Sequence, residues 1–319
     1  MRTRLYACLM MLGSVLVATV LVELLLRAFV TLPFFVGEST TVYDPVYGKR
    51  LKKNLRTQRI APEYRSRITI NSLGFRGPEP LGPLQHPLLF LGDSFTFGAE
   101  VDDDKLFTHL VGKALDKDVV NAGISGIGNG FWVLFLEREA TALQPAAVIL
   151  QHCINDFTDN LQERLFHLQE DGTLVSLPAP PPGILRRVQE VVDAIPGLAA
   201  SHLISLLRGA EASWRSRLRT DYHTQPLEDE DALTLVLTRR ALALCRQHEW
   251  PVLGIATHLM GPRFEALAAV YAEFGAELLS MDGPAERPAC YFVQNMHWTE
   301  AGHAWVAERV TTKLRDKLQ

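Results

Sequence analysis

The polarity pattern divides the chain into three stretches. Arg2 and Arg4 precede an apolar run over residues 5–22, which continues through Leu24-Leu25-Leu26 and Ala28-Phe29-Val30. A run of about 18–22 apolar residues is long enough to cross a bilayer as a helix. Glu23 and Arg27 interrupt it four residues apart, a spacing at which they can pair on one helix face. No small-residue cleavage site follows, so residues 1–32 are expected to be an uncleaved, single-pass transmembrane anchor. The arginines at the start favour an inside N-terminus, and the basic residues Lys49, Arg50, Lys52, Lys53 and Arg56 lie near the far limit of charge steering. The globular part is therefore expected outside the cytoplasm, on the periplasmic side if the cell is Gram-negative.

Residues 33–80 are polar, basic and rich in turn formers. They read as a stalk that partly folds back, with a short strand over 66–70. From residue 81 the pattern changes again. Short apolar runs at 88–91, 119–120, 147–150 and 252–256, and a last short strand at 277–280, alternate with helical stretches at 105–115, 130–143, 231–248, 264–274 and a last helix capped by Thr299. Apolar strands alternating with helices predict a parallel sheet covered on both faces, with ligands bound at the carboxyl ends of the strands. The segment at about 161–227 breaks the rhythm. Its proline run at 177–183 excludes helix, and a largely helical stretch at 184–212 follows, broken at Pro196-Gly197. This is an insertion in the 81–319 domain, either a lid or substrate platform or padding at the sheet edge.

Composition narrows the classes. The chain has 319 residues, 47% of them hydrophobic and 21% charged, with a formal net charge of −4. That is ample material for a core and no concentrated basic surface, so nucleic acid is not an expected partner. Cys8, Cys153, Cys245 and Cys290 show no Cys-x-x-Cys pair and no zinc spacing. No metal or cofactor is expected.

The chemistry gathers at the predicted strand ends. Gly92-Asp93-Ser94-Phe95-Thr96-Phe97-Gly98 follows the strand at 88–91, and its glycines allow a sharp strand-to-helix turn that exposes a hydroxyl. Asn121-Ala122-Gly123-Ile124-Ser125-Gly126 follows the next strand and brings backbone N–H groups to the same edge. Asn155-Asp156 comes after the third, and Asn295-Met296-His297-Trp298 lies just before the last helix. Together they offer a nucleophile, a base and oxyanion donors. Asp93, Asp156, His152, Cys153, His303 and the aromatic set Phe131, Trp132 and Phe135 read more simply as turn, cap or core residues.

These blocks, in this order, resemble the SGNH/GDSL hydrolase superfamily. The resemblance covers residue 88 to the C-terminus, less the insertion, and the stalk segment Ile70-Asn71-Ser72-Leu73-Gly74-Phe75-Arg76-Gly77 is similar to that of membrane-anchored members. It implies a flavodoxin-like three-layer α/β/α fold with a parallel sheet, preceded by one transmembrane helix. It also implies a serine esterase acting on an acyl ester of a small molecule or an envelope glycan, such as an O-acetyl group. Ser94 would be the nucleophile, His297 the base, and the Ser94 N–H, Gly126 N–H and Asn155 amide the oxyanion hole. One departure stands out. Where the family has an aspartate two or three residues before the histidine, this chain has Gln294 and Asn295. Loss of that aspartate costs about 10⁴ in turnover in a Ser-His-Asp triad. Three expectations follow: a Ser-His dyad held by a carbonyl, a carboxylate recruited from elsewhere such as Asp282, or a weakened enzyme. The alternatives in function are an O-acyltransferase using the same site, or an envelope binding protein that kept the fold.

Overall fold

A computed structural model describes residues 2–30, 39–182, 184–195, 198, 200–207 and 231–318. An N-terminal helix, Arg2–Phe29, leads into two antiparallel hairpins. The first pairs β1 (Thr41–Asp44) with β2 (Gly48–Leu51), and the second pairs β3 (Leu55–Ile60) with β4 (Arg65–Ile70). The strand–helix alternation then runs through β5 (Leu88–Gly92), β6 (Val119–Asn121) and β7 (Ala147–Cys153). A small hairpin of β8 (Phe166–Leu168) and β9 (Leu174–Ser176) opens the insertion. The last sheet strands are β10 (Val252–Thr257) and β11 (Glu277–Ser280).

Five of these strands form one parallel sheet in the order β11-β10-β7-β5-β6. Counted within the sheet this is the flavodoxin-like order 2-1-3-4-5, whose switch point lies between β5 and β7. The apolar run of β5 and of the first four residues of β7 follows from burial on both faces. Leu89, Leu91, Val148 and Leu150 join a cluster with Phe131, Phe135, Leu237 and Tyr271 on one side. Leu88, Phe90, Ala147 and Ile149 join Phe107, Val111, Val306 and Val310 on the other. Helices Asn129–Phe135, Asp231–Gln247 and Gly261–Glu273 cover the first face, Phe107–Leu115 and Glu300–Lys317 the second. The three-layer expectation is met.

Local details differ from the sequence reading. The expected helix over 130–143 contains a π-turn at Leu136–Ala140 before resuming at Thr141–Leu143. The strand expected at 66–70 belongs to the β3–β4 hairpin, which bridges through Arg76 to Asn121 at the end of β6. Alternation in β4 puts Ser66, Ile68 and Ile70 inside, so this part of the stalk segment contributes to the core together with Tyr47, Leu51 and Phe75. The helical stretch expected at 184–212 is helical over Ile184–Ala194 and again at 202–207, and residues 208–230 lie outside the described ones.

The insertion meets the N-terminal helix. Glu23 accepts hydrogen bonds from Ser201 Oγ and from the N–H groups of His202 and Leu203, at 2.8–3.0 Å. Arg27, bound to Glu23 at 2.7 Å, also donates to the Ala200 carbonyl. Asp193 pairs with Lys52, the residue after β2, at 2.7 Å.

Candidate active site

Ser94 opens a four-residue helix, Ser94–Phe97, at the carboxyl end of β5. Asp93 caps it by accepting from the Phe95 N–H at 3.0 Å, and Gly98 ends it at φ 60°. A side chain on Gly98 would strike Leu106 and His303, and one on Gly92 would strike Thr96 and Gln151. Both glycines are therefore needed for close packing where the strand turns.

His297 reaches this hydroxyl from the other end of the chain. Its Nε2 lies 2.7 Å from Ser94 Oγ, and its Nδ1 lies 3.0 Å from the backbone carbonyl of Asn295. The turn that presents it is tightly held. Met296 sits at φ 61°, an uncommon conformation for a residue with a side chain, and its carbonyl contacts His258 Nε2 at 3.0 Å. The Val293 and Gln294 N–H groups both donate to Glu63 from the β3–β4 turn. Trp298, fully buried, packs at 4.7 Å against Phe95, whose ring also lies 4.7 Å from the His297 ring.

Of the two residues expected to orient the imidazole, Asn295 sets its main-chain carbonyl 3.0 Å from Nδ1, and Gln294 has its N–H on Glu63. Asn295 Oδ1 accepts from the His297 N–H, and its amide donates to Glu100 Oε1 at 3.3 Å. Asp282 is instead paired with Arg287 at 2.8 Å. The carboxylate beside the base is Glu100, whose Oε1 lies 3.7 Å from His297 Nδ1. Sequence reading missed it, as it also missed His258 and Glu63.

Gly126 and Asn155 come to the same sheet edge. Ile124 donates to the Gly92 carbonyl at 3.1 Å, which lays the segment after β6 alongside the turn into Ser94. Gly126 follows at φ 65°, its carbonyl bound by Lys49. Asn155, after β7, donates one amide hydrogen to Asp159 at 2.6 Å and also interacts with Asp93.

Below the site lies a buried polar layer. Burial, and then the neighbouring Asp93 and Asp159, push the Asp156 carboxyl well up, and burial raises Asp93 too. Asp156 accepts from the Cys153 N–H and the Asn129 amide. His152 and His303 are both buried, which lowers each imidazole to about 3. His152 contacts the Tyr271 hydroxyl at 2.9 Å, and His303 accepts from the Phe107 N–H. Neither is placed as a second base. Burial also holds the Cys153 thiol far above its ordinary value, away from thiolate chemistry. Phe131, Trp132 and Phe135 are core. Among the described residues, no group of three or more His, Cys, Asp or Glu side chains is placed to hold a metal ion.

A hydroxyl and an imidazole thus stand in hydrogen-bond contact beside the switch point of a flavodoxin-like sheet. The family model described as GDSL-like Lipase/Acylhydrolase matches residues 90–305, and the chain belongs to that family of ester-bond hydrolases. Several solved structures are similar. The psychrotrophic esterase EstA from Pseudoalteromonas sp. is 12% identical over 73% of this chain and 99% of its own, with a TM-score of 0.42. The lipase/acylhydrolase from Enterococcus faecalis is 11% identical over 73% and 97%, with a TM-score of 0.40. A family two carbohydrate esterase from Clostridium thermocellum, solved in complex with cellohexaose, is 13% identical over 76% and 67%, with a TM-score of 0.41. A comparison with curated protein sequences finds no match.

Proposed function

We propose that the chain is a membrane-anchored serine esterase in which Ser94 and His297 carry the reaction. The observation behind this is the 2.7 Å contact between Ser94 Oγ and His297 Nε2, with Nδ1 held by a carbonyl. A carbonyl accepts only from an N–H, so it fixes the tautomer whose bare Nε2 can take the serine proton. Ser94 Oγ attacks the acyl carbonyl as its proton passes to Nε2, and the Ser94 N–H, Gly126 N–H and Asn155 amide receive the oxyanion. Return of the proton to the departing alcohol leaves an acyl-serine. Water, deprotonated by the same imidazole, then releases the acid.

The anchor reading rests on the helix itself. Its 24-residue stretch Tyr6–Phe29 has a mean hydropathy of 2.4 and none of it is buried in the protein. The contact of the insertion with Glu23 adds to it. Glu23 lies six residues before the helix end at Phe29, about 9 Å by helical rise, so the segment that binds it belongs at headgroup depth. An outward-facing domain of this kind meets envelope glycans, and an O-acetyl group on such a glycan is the substrate we propose. The same acyl-serine serves an O-acyltransferase if an acceptor hydroxyl replaces water. The intact contact between Ser94 and His297 speaks against a binding protein without turnover.

The test is a serine-directed fluorophosphonate probe on the full chain in detergent or vesicles. It labels the native protein, fails on Ser94→Ala, and slows by roughly 10³-fold or more on His297→Ala. Labelling that survives Ser94→Ala ends this reading.

A further inference from the structure

The family aspartate is missing from this chain, but a carboxylate beside the base is not. Gly98 ends the Ser94 helix in the left-handed region, and the chain then doubles back so that Ala99 and Val101 are buried. The Ala99 carbonyl is pinned by Ser66 Oγ of β4 at 2.5 Å. Between these residues, Glu100 is left with its side chain 7% exposed and aimed at the His297 turn. A carboxylate withdrawn from water needs partners, or its burial is costly.

Its partners belong to the base. Glu100 Oε1 accepts from the Asn295 amide at 3.3 Å and faces His297 Nδ1 at 3.7 Å. The other charged and titratable groups near it are the Tyr64 hydroxyl, Arg76 and, next to Tyr64, Arg59. Arg76 has its own anion: it pairs with Asp103 and donates to the Val101 carbonyl. Asn295 thus links the two halves of the unit, its carbonyl on the imidazole and its amide on the carboxylate.

We propose that Glu100 is the charged partner of this site, a positioning residue that fixes Asn295 and supports His297 while it carries the serine proton. The proposal rests on the reading of Ser94 and His297 given above. It divides between two groups the work one aspartate does in a Ser-His-Asp triad. The Asn295 carbonyl sets the tautomer and the orientation, and Glu100 supplies the negative charge. Because the tautomer is set independently, loss of the charge alone costs less than the ~10⁴ seen when a triad aspartate becomes asparagine, a change that also disturbs the tautomer.

The test compares kcat and KM for p-nitrophenyl acetate in the native protein and in Glu100→Gln, Glu100→Asp, Asn295→Asp and the exchange pair Glu100→Gln with Asn295→Asp. Glu100→Gln is isosteric and keeps an oxygen for Asn295, so it removes charge and little else. It should lower kcat roughly 10- to 100-fold with KM within about threefold. Glu100→Asp, with the charge retained but set back, should fall between native and Glu100→Gln. The exchange pair returns a single carboxylate to the imidazole from the position the family uses, and should recover most of kcat. A native kcat in Glu100→Gln, a lower kcat in Glu100→Asp than in Glu100→Gln, or an exchange pair no better than Glu100→Gln alone would each overturn the proposal and leave Glu100 as a loop brace. Full activity in Ser94→Ala, run alongside, would instead remove the reading beneath it.

Discussion

The Leu203 N–H donates to Glu23 Oε2 at 3.0 Å across 180 residues of sequence, so a charge in the N-terminal helix caps the start of a helical segment in the insertion. With the His202 N–H on the other oxygen, one carboxylate satisfies two of the N–H groups a helix start leaves unpaired. Glu23→Ala should free both. We expect amide exchange over 200–207 to speed up roughly 10- to 100-fold, in line with the loss of hydrogen bonds to a charged group. Fluorophosphonate labelling of Ser94 should be unchanged. Equal exchange rates in the two proteins would show that the insertion is held by other contacts.

Asn155 gives a second expectation. Its amide donates to Asp159 and also interacts with Asp93, so two buried carboxyls hold the side chain that would meet a developing oxyanion. Asn155→Ala should lower kcat about 10²–10³-fold on a small activated ester while KM changes little, because the donor acts on charge that appears only in the transition state. A rise in KM at constant kcat would assign Asn155 to substrate binding instead.

The parts of this architecture visible in the sequence are those that local pattern determines. The strand β5 and the opening residues of β7 and β10 are apolar runs because both faces are covered, and Gly92 and Gly98 mark the turn around Ser94. The β1–β2 hairpin left no such signal. Its strands are four residues each, largely polar and only partly buried, and they hold through pairing and through contacts such as Arg50 with Glu139. Glu100 was hidden for a different reason. Its relation to Asn295 spans 195 residues and depends on how the chain doubles back after Gly98. Asp282, nearer in sequence to the histidine, reads as the better candidate until Arg287, five residues on, is seen to hold it.

Asn295→Asp, the change that restores the family aspartate, should not by itself raise activity. The new carboxylate would stand where an amide now donates to Glu100 at 3.3 Å. Two carboxylates that close do not both stay ionised, and one takes up a proton. On the proposal above, the imidazole then gains no charge beyond the one Glu100 supplies. We expect kcat at neutral pH equal to or below the native value. A gain of tenfold or more would mean that Glu100 contributes no charge to His297.

Glu163 yields an expectation about pH. It ends the helix Asp156–Glu163, accepts from the Gly128 N–H at 3.0 Å, and lies 3.9 Å from Lys49, which also binds the Ser125 and Gly126 carbonyls. Burial pushes its carboxyl up to about 7, against the opposing pull of Lys49 and the Gly128 N–H. In the unfolded chain the same group returns to its ordinary value near 4.5. Between those two values the folded state binds the extra proton, so stability from this group is complete below about pH 4.5 and is lost as pH rises through 7. The shift sets an upper limit of about 3 kcal/mol. Glu163→Gln keeps the acceptor for Gly128 and removes the ionisation. Its thermal midpoint should exceed that of the native protein by a few degrees at pH 8.5, and the gap should close by pH 5. Melting curves at the two pH values decide it. A variant less stable than the native protein at pH 8.5 would mean that the ion pair with Lys49 outweighs the burial of the charge, and that Glu163 holds the turn at Gly126 as an anion.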